Sequence, residues 1–275
     1  MPSYSGVWTL PQQMQAQAQG LWPVIATYSG RGVFGGGTTG SASSVMDYID
    51  MTTTGNATSF GNLASASAYT SSAASSTRGI FGANPNASCV IQYITIATTG
   101  NSTTFGNFST TYSDGSGCSN DTRGVFAGSY GGNFTNTLEY ITIASTGNTT
   151  SFGQLLFEGG GSSACASTTR GIFAGGGNPL KSNINYITIA STGNGTSFGS
   201  LLAANEGSTA CSNATRGVFA GGTSPSATNV IQYITIATTG NAVSFGALAS
   251  ATYRMAAAAG KDRGVFAGGS TGSYT

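Results

Sequence analysis

Side chains able to do chemistry are scarce in this chain of 275 residues, which has no His, 4 Cys, 9 Lys and Arg together, and 8 Asp and Glu. Six of the seven Arg (Arg31, Arg78, Arg123, Arg170, Arg216 and Arg263) recur at spacings of 47, 45, 47, 46 and 47 residues. A ring of guanidinium groups could bind anions. A planar fork of donors can equally tie backbone carbonyls or stack on a neighbouring unit. Because these Arg recur with fixed apolar markers and not with the variable loops, they are expected to be structural repeat positions. Cys118, Cys165 and Cys211 each stand five residues before one of these Arg, where other units carry Ala73 and Ala258. A position shared by Cys and Ala asks for a small apolar side chain. With Cys89 the only other thiol, and no His or nearby carboxylate, neither a metal centre nor a disulfide ladder is expected.

The acids Asp47, Asp50, Asp114, Asp121, Glu139, Glu158, Glu206 and Asp262 are scattered singly. No pair has a spacing suited to general acid–base work. No D-x-D-x-D calcium loop is present, and no Gly-rich phosphate loop opens a helix. The expectation is a non-enzymatic protein with no metal and no cofactor.

Composition narrows the partners. Charged residues make up 6% and the formal net charge is +1, so no field exists to hold nucleic acid or an anionic membrane. Hydrophobic residues reach 39%, too many for a disordered linker. No apolar run approaches the ~18 residues of a spanning helix, so no membrane insertion is expected. The opening MPSYSGVWTLPQQ lacks a basic n-region and an apolar h-region, which leaves a product made in the cytoplasm without a signal peptide.

The elements that position these residues are written as a repeat. With each RGVF or RGIF block travel a Tyr-Ile pair (Tyr48, Tyr93, Tyr140, Tyr186, Tyr233) and a Phe-Gly pair (Phe60, Phe105, Phe152, Phe198, Phe245). Each unit reads as four strands: a small apolar stretch such as AAAAG, then RGVFAGG, then NVIQYITIATTG, then AVSFGAL. The third strand is apolar on both faces and therefore covered on both sides. Between the third and fourth strands sits a Gly-Asn pair suited to a tight hairpin turn. The sequons at Asn56, Asn101, Asn148 and Asn194 coincide with these pairs and report turn geometry, not glycosylation. Four antiparallel strands, buried on both faces and repeated about an axis, define an all-β β-propeller.

The order of apolar strand, double glycine, Tyr and fourth-strand aromatic resembles the kelch motif, whose period is about 50. Gly36-Gly37, Gly175-Gly176, Gly221-Gly222 and Gly268-Gly269 fit the double glycine, whereas Gly82-Ala83 and Gly128-Ser129 depart from it, and Phe stands for the usual Trp. The likeness covers residues 24 to 269 and implies a kelch-like β-propeller. A narrower likeness, carried by YITIATTGN…FG.L and SGVWTLPQQMQAQAQGLWP, is to repeat-rich tail, fibre and capsid-associated proteins of marine tailed bacteriophages. It implies a virion protein, with other virion subunits as partners.

The units fall near 24–72, 73–117, 118–164, 165–210, 211–257 and 258–275. The last supplies only two strands, and Ser5–Leu10 (SGVWTL) is the one candidate closing strand, with Trp8 in place of the recurring Phe. Six blades are favoured, the last a composite of both chain ends, with five blades and a paired overlap as the alternative. Within the N-terminal segment 1–23, PQQMQAQAQG reads as a short helix, either lidding its own ring or attaching to a neighbouring subunit, a homo-oligomer included.

The loops between strands 2 and 3, and from strand 4 into the next unit, differ from unit to unit and emerge on one side. The uniform turns emerge on the other. Individual loops on a rigid scaffold are where binding lives. Tyr69, Tyr112, Tyr130, Phe134, Phe157 and Tyr253 lie in them among Asn, Ser and Gly, a mixture suited to sugar faces and edges. The functional expectation is binding of host surface polysaccharide or another receptor. The alternative is a purely structural decoration or connector of the particle.

Overall fold

Runs such as Tyr-Ile-Thr-Ile, dense in β-branched and aromatic residues, take the extended backbone in every unit. The structure is a computed structural model that describes residues 30–84, 88–112, 114–128, 135–158 and 160–272. The N-terminal closing strand, the short helix, Tyr130 and Phe134 lie outside the described residues. Arg31–Thr275 forms one compact unit. No helix occurs among the described residues, and none is long and apolar enough to cross a membrane.

Five blades of a β-propeller are present. The first has β1 (Arg31–Gly35), β2 (Ser43–Asp50) and β3 (Thr58–Ser67). The second has β4 (Ser71–Ala74), β5 (Arg78–Asn84), β6 (Ser88–Thr95) and β7 (Thr103–Asn107). The third has β8 (Ser116–Ser119), β9 (Arg123–Ala127), β10 (Thr137–Thr142) and β11 (Thr150–Gln154). The fourth has β12 (Ser163–Ala166), β13 (Arg170–Ala174), β14 (Asn183–Thr188) and β15 (Thr196–Ser200). The fifth has β16 (Thr209–Ser212), β17 (Arg216–Ala220), β18 (Val230–Thr235) and β19 (Val243–Ala247). A two-stranded sheet follows, β20 (Ala256–Ala259) with β21 (Gly264–Ala267). Every neighbouring pair is antiparallel, as Arg170 opposite Thr188 and Ala174 opposite Ile184 illustrate.

The hydrophobic core lies between blades. Cys165, Ile172, Ile184, Phe198 and Leu201 of blade four pack with Phe219, Ile234 and Ile236 of blade five. Equivalent clusters join blades three and four, two and three, and one and two. The recurring Phe is the extra residue of a β-bulge: Asn185 pairs with Ser197 and Ile184 with Gly199, which skips Phe198. The bulge turns that ring inward, edge-on to Tyr186 at 6.1 Å between centroids, with 5.9–6.0 Å at its equivalents.

The Gly-Asn pairs do not make the tight hairpin turns expected of them. Seven residues, 236–242, link β18 to β19, and Gly240-Asn241 lies across the preceding blade. Gly240 N donates to Phe198 O (2.9 Å), and Asn241 Oδ1 accepts from Ser200 N (3.1 Å). Asn101, Asn148 and Asn194 accept likewise from Asn62, Asn107 and Gln154. The backbones meet so closely that a Cβ on Gly199 would lie 2.2 Å from Gly240 O. Inter-blade docking, not local turn geometry, therefore explains why Gly and Asn recur.

The repeat Arg are structural ties. Each of Arg31, Arg78, Arg123, Arg170 and Arg216 stacks on the Tyr of its own blade at 4.5–4.7 Å. Four of them also reach the next blade: Arg123 Nη1 donates to Ile189 O (3.1 Å) and Ala190 O (3.0 Å), Arg170 Nη1 to Ile236 O and Ala237 O, Arg31 to Ile96 O and Ala97 O, and Arg78 to Ile143 O. Arg263, in the turn just before β21, is exposed. Arg123→Ala should lower the unfolding free energy by about 1 kcal/mol, and Arg216→Ala by less than about 0.5 kcal/mol. Denaturant titration of both variants measures this.

Candidate functional site at the axial mouth

The innermost strands β4, β8, β12, β16 and β20 pack in succession around the axis. Each is entered from the variable loop that follows the preceding fourth strand. Two residues before each inner strand stands one in the left-handed conformation: Tyr69 (φ 57°), Asp114 (φ 56°), Gly161 (φ 68°), Gly207 (φ 61°) and Arg254 (φ 55°). Three of these five are not glycine, although the left-handed region favours glycine.

A hydrogen-bonded backbone spiral joins four of them. Gly161 N donates to Asp114 O (2.8 Å), Gly207 N to Gly161 O (2.9 Å) and Arg254 N to Gly207 O (2.7 Å). Arg254 then reaches across the mouth. Its guanidinium lies 4.7 Å from the Tyr69 ring centroid and its Nη2 is 3.2 Å from Asp114 Oδ2. At 39% and 32% side-chain exposure, that ion pair contributes only about 0.2–1 kcal/mol. An aromatic ring, a guanidinium and a carboxylate thus converge at the mouth. Below them, hydroxyl pairs Ser116–Ser162 (2.8 Å) and Ser163–Ser208 (2.9 Å) tie successive blades. Nearby on this face, Asn205 Oδ1 is buried without a partner among the described residues.

The loop aromatics divide. Tyr69 is exposed, and Tyr253 and Phe157 are half-buried in their loops. Tyr112 is a correction: it is buried, stacked on Phe108 at 4.1 Å between centroids, and donates its hydroxyl to Ala127 O (2.8 Å). Its sequence sits in a variable loop, but its ring completes the core between blades two and three. Asp114 and Arg254, which make the site with Tyr69, escaped sequence reasoning, because their shared register is visible only by counting back from each inner strand. A shallow recess lined by Phe105, Tyr140 and Asn148 belongs to the repeated blade junction and is not a second individual site.

The thiols are packing groups. All four are free, and Cys118 and Cys165 each abut the Gly of the next RGVF or RGIF block, Gly171 and Gly217. No group of three His, Cys, Asp or Glu able to hold a metal occurs among the described residues. Glu139 is likewise structural, accepting from Ser109 Oγ, from Ser109 N (3.2 Å) and from Thr149 Oγ1 (2.5 Å). Burial pushes the Cys118 thiol from 9.0 up to about 12 and that of Cys211 up to about 11. Burial, then its neighbours Cys118 and Cys211, holds Cys165 well above its ordinary value. Tyr112 is raised too, by burial first and then by Glu139 and Cys118. The unfolded chain therefore releases these protons at lower pH than the folded one. Stability should be intact below about pH 9 and fall progressively above it. Denaturant midpoints measured from neutral to strongly alkaline pH should show that fall, and Cys118→Ala should reduce it.

Compared with known proteins, the chain matches no family model and no curated sequence.

Proposed function

We propose that the protein is a non-enzymatic binding module whose loop face takes a neutral, hydroxyl-rich ligand, bacterial surface polysaccharide above all, at the axial mouth. The observation that carries this reading is the convergence of Tyr69, Arg254 and Asp114 on the individual face of an otherwise uniform scaffold. An aromatic face suits the C–H side of a pyranose, and a guanidinium beside a carboxylate supplies the donors and acceptors for its hydroxyls. Half-buried Phe157 and Tyr253 extend the contact surface. The likeness to phage tail, fibre and capsid-associated proteins supports a place on a virion, with assembly in the host cytoplasm. It also supports attachment to other virion subunits through the N-terminal segment.

The same reading gives the ring six blades, in a kelch-like arrangement. The two-stranded sheet supports this count: β20 packs between β16 and β1, and Ala258 Cβ meets Gly32 as Cys165 meets Gly217. Screening the labelled protein against bacterial surface polysaccharides, with an assay for newly released reducing ends, tests the function. Saturable binding without release is expected; release would identify a hydrolase or lyase. A second reading, a structural connector of the particle, is favoured by one observation: the outer face of blade five is bare, with Phe245 56% exposed.

A further inference from the structure

We infer that the face of blade five and the edge of β21, which no other described strand covers, form an acceptor slot for a β-hairpin of the repeat's own type, supplied from outside these 275 residues. The inference is independent of ligand binding at the mouth. Four blade junctions show what such a slot holds. In each, the fourth-strand Phe is covered: Phe60, Phe105, Phe152 and Phe198 are 3–4% exposed. In each, the Gly after it receives the carbonyl of the next blade's Gly-Asn turn, at 2.3, 2.0, 2.2 and 2.2 Å from the place of a Cβ on Gly61, Gly106, Gly153 and Gly199. An Asn side chain caps the N–H one residue on. Two residues further still, Ala64, Ser109, Leu156 and Leu202 donate their N–H to Gln92, Glu139, Asn185 and Gln232 of the next blade's third strand.

At the fifth junction the receiving half of this set is intact and the giving half is absent among the described residues. Phe245 is 56% exposed. Gly246 has nothing within 4 Å of the place of its Cβ. Arg216 is poised on Tyr233 at 4.6 Å, without the pair of carbonyls that Arg123 and Arg170 find. Across the gap, blade one shows the complementary deficit. Gly55 N and Asn56 Oδ1 of its own Gly-Asn pair make no docking bond among the described residues, whereas Gly100, Gly147, Gly193 and Gly240 each donate their N–H to the Phe carbonyl of the preceding blade's fourth strand. The inner half of the gap is already filled, since β20 packs on both β16 and β1. What fits is therefore two strands wide, with Tyr-Ile-x-Ile on the first, a Gly-Asn turn, and Phe-Gly on the second.

The chain's own segments do not meet that specification. Its five hairpins of this type are built into blades one to five. The sequence SGVWTL has Thr9 after Trp8, at the place where a docked Phe-Gly strand carries glycine. A Cβ there would meet the carbonyl of the docking turn at the 2.0–2.3 Å found at the other junctions. A bare edge beside a bare aromatic face is a template for strand addition.

The test is titration of the full chain with a fluorescent peptide of the sequence of residues 229–248, followed by anisotropy. Saturable binding is expected, weakened at least about tenfold by Phe245→Ala or Arg216→Ala in the protein, or by Ala-Ala in place of the peptide's Gly-Asn. Both protein variants alter exposed side chains, so circular dichroism should show an unchanged fold. No binding, or binding indifferent to all three changes, overturns the inference. So does cross-linking that finds residues 5–10 against β21, which would assign the slot to the chain's own N-terminus.

Discussion

Replacing Phe198 by Ala should cost about 3–5 kcal/mol of unfolding free energy, while the same replacement at Phe245 should cost less than about 1 kcal/mol. The two residues occupy one repeat position, sit at equivalent bulges and stand edge-on to equivalent tyrosines, Tyr186 and Tyr233. They differ in what lies outside them: Phe198 is 4% exposed in the core shared with blade five, and Phe245 is 56% exposed. Truncating Phe198 leaves a cavity walled by Ile184, Leu201, Phe219 and Ile236, which a stiff sheet cannot collapse to fill. Truncating Phe245 removes surface that water already reaches. Parallel denaturant titrations read the difference directly, and equal losses would mean that the inter-blade layer is not the seat of stability.

Gly106→Ala should be nearly as damaging, at about 3 kcal/mol or more, although it adds one methyl group. The new Cβ would sit 2.0 Å from Gly147 O and 2.3 Å from Gly147 C, both backbone atoms of the docking turn. No rotamer change relieves such a clash. The blades must separate, loosening the Gly147 N to Phe105 O bond (2.9 Å) and the cap from Asn148 on Asn107 N (3.0 Å). Gly147→Ala, on the other side of the same contact, meets nothing within 4 Å and should change stability by less than about 0.5 kcal/mol. Melting temperatures of the two variants check the pair, and the asymmetry is the signature: turn carbonyl into strand glycine.

Much of this architecture is legible in the chain because its period is long and its markers are bulky. Strand order, the inward Phe, the small residues on the inner strand and the structural role of the repeated Arg all follow from a register that five or six copies reinforce. The Gly-Asn pair misleads because its local signal, residues that favour a turn, is the same whether the turn closes a hairpin or docks on a neighbour. Only the backbone approach of blade to blade distinguishes the two. Tyr112 misleads for a related reason. A variable loop is polar on average, yet one ring in it folds back over Phe108. The axial site is hidden because its register holds Tyr, Asp, Gly, Gly and Arg, residues with no chemistry in common. They share a backbone conformation and an offset from the next inner strand, and neither is written in residue type.

The claim on which the functional account rests is that the individual loops, meeting at Tyr69, Asp114 and Arg254, form the binding face. Its most direct test compares the wild-type protein with a Tyr69→Ala, Arg254→Ala double variant for saturable binding to bacterial surface polysaccharides and whole host cells, after circular dichroism has confirmed the same fold. Binding by the wild type and its loss in the variant is the predicted result. Equal binding by both proteins, or none by the wild type, would contradict it.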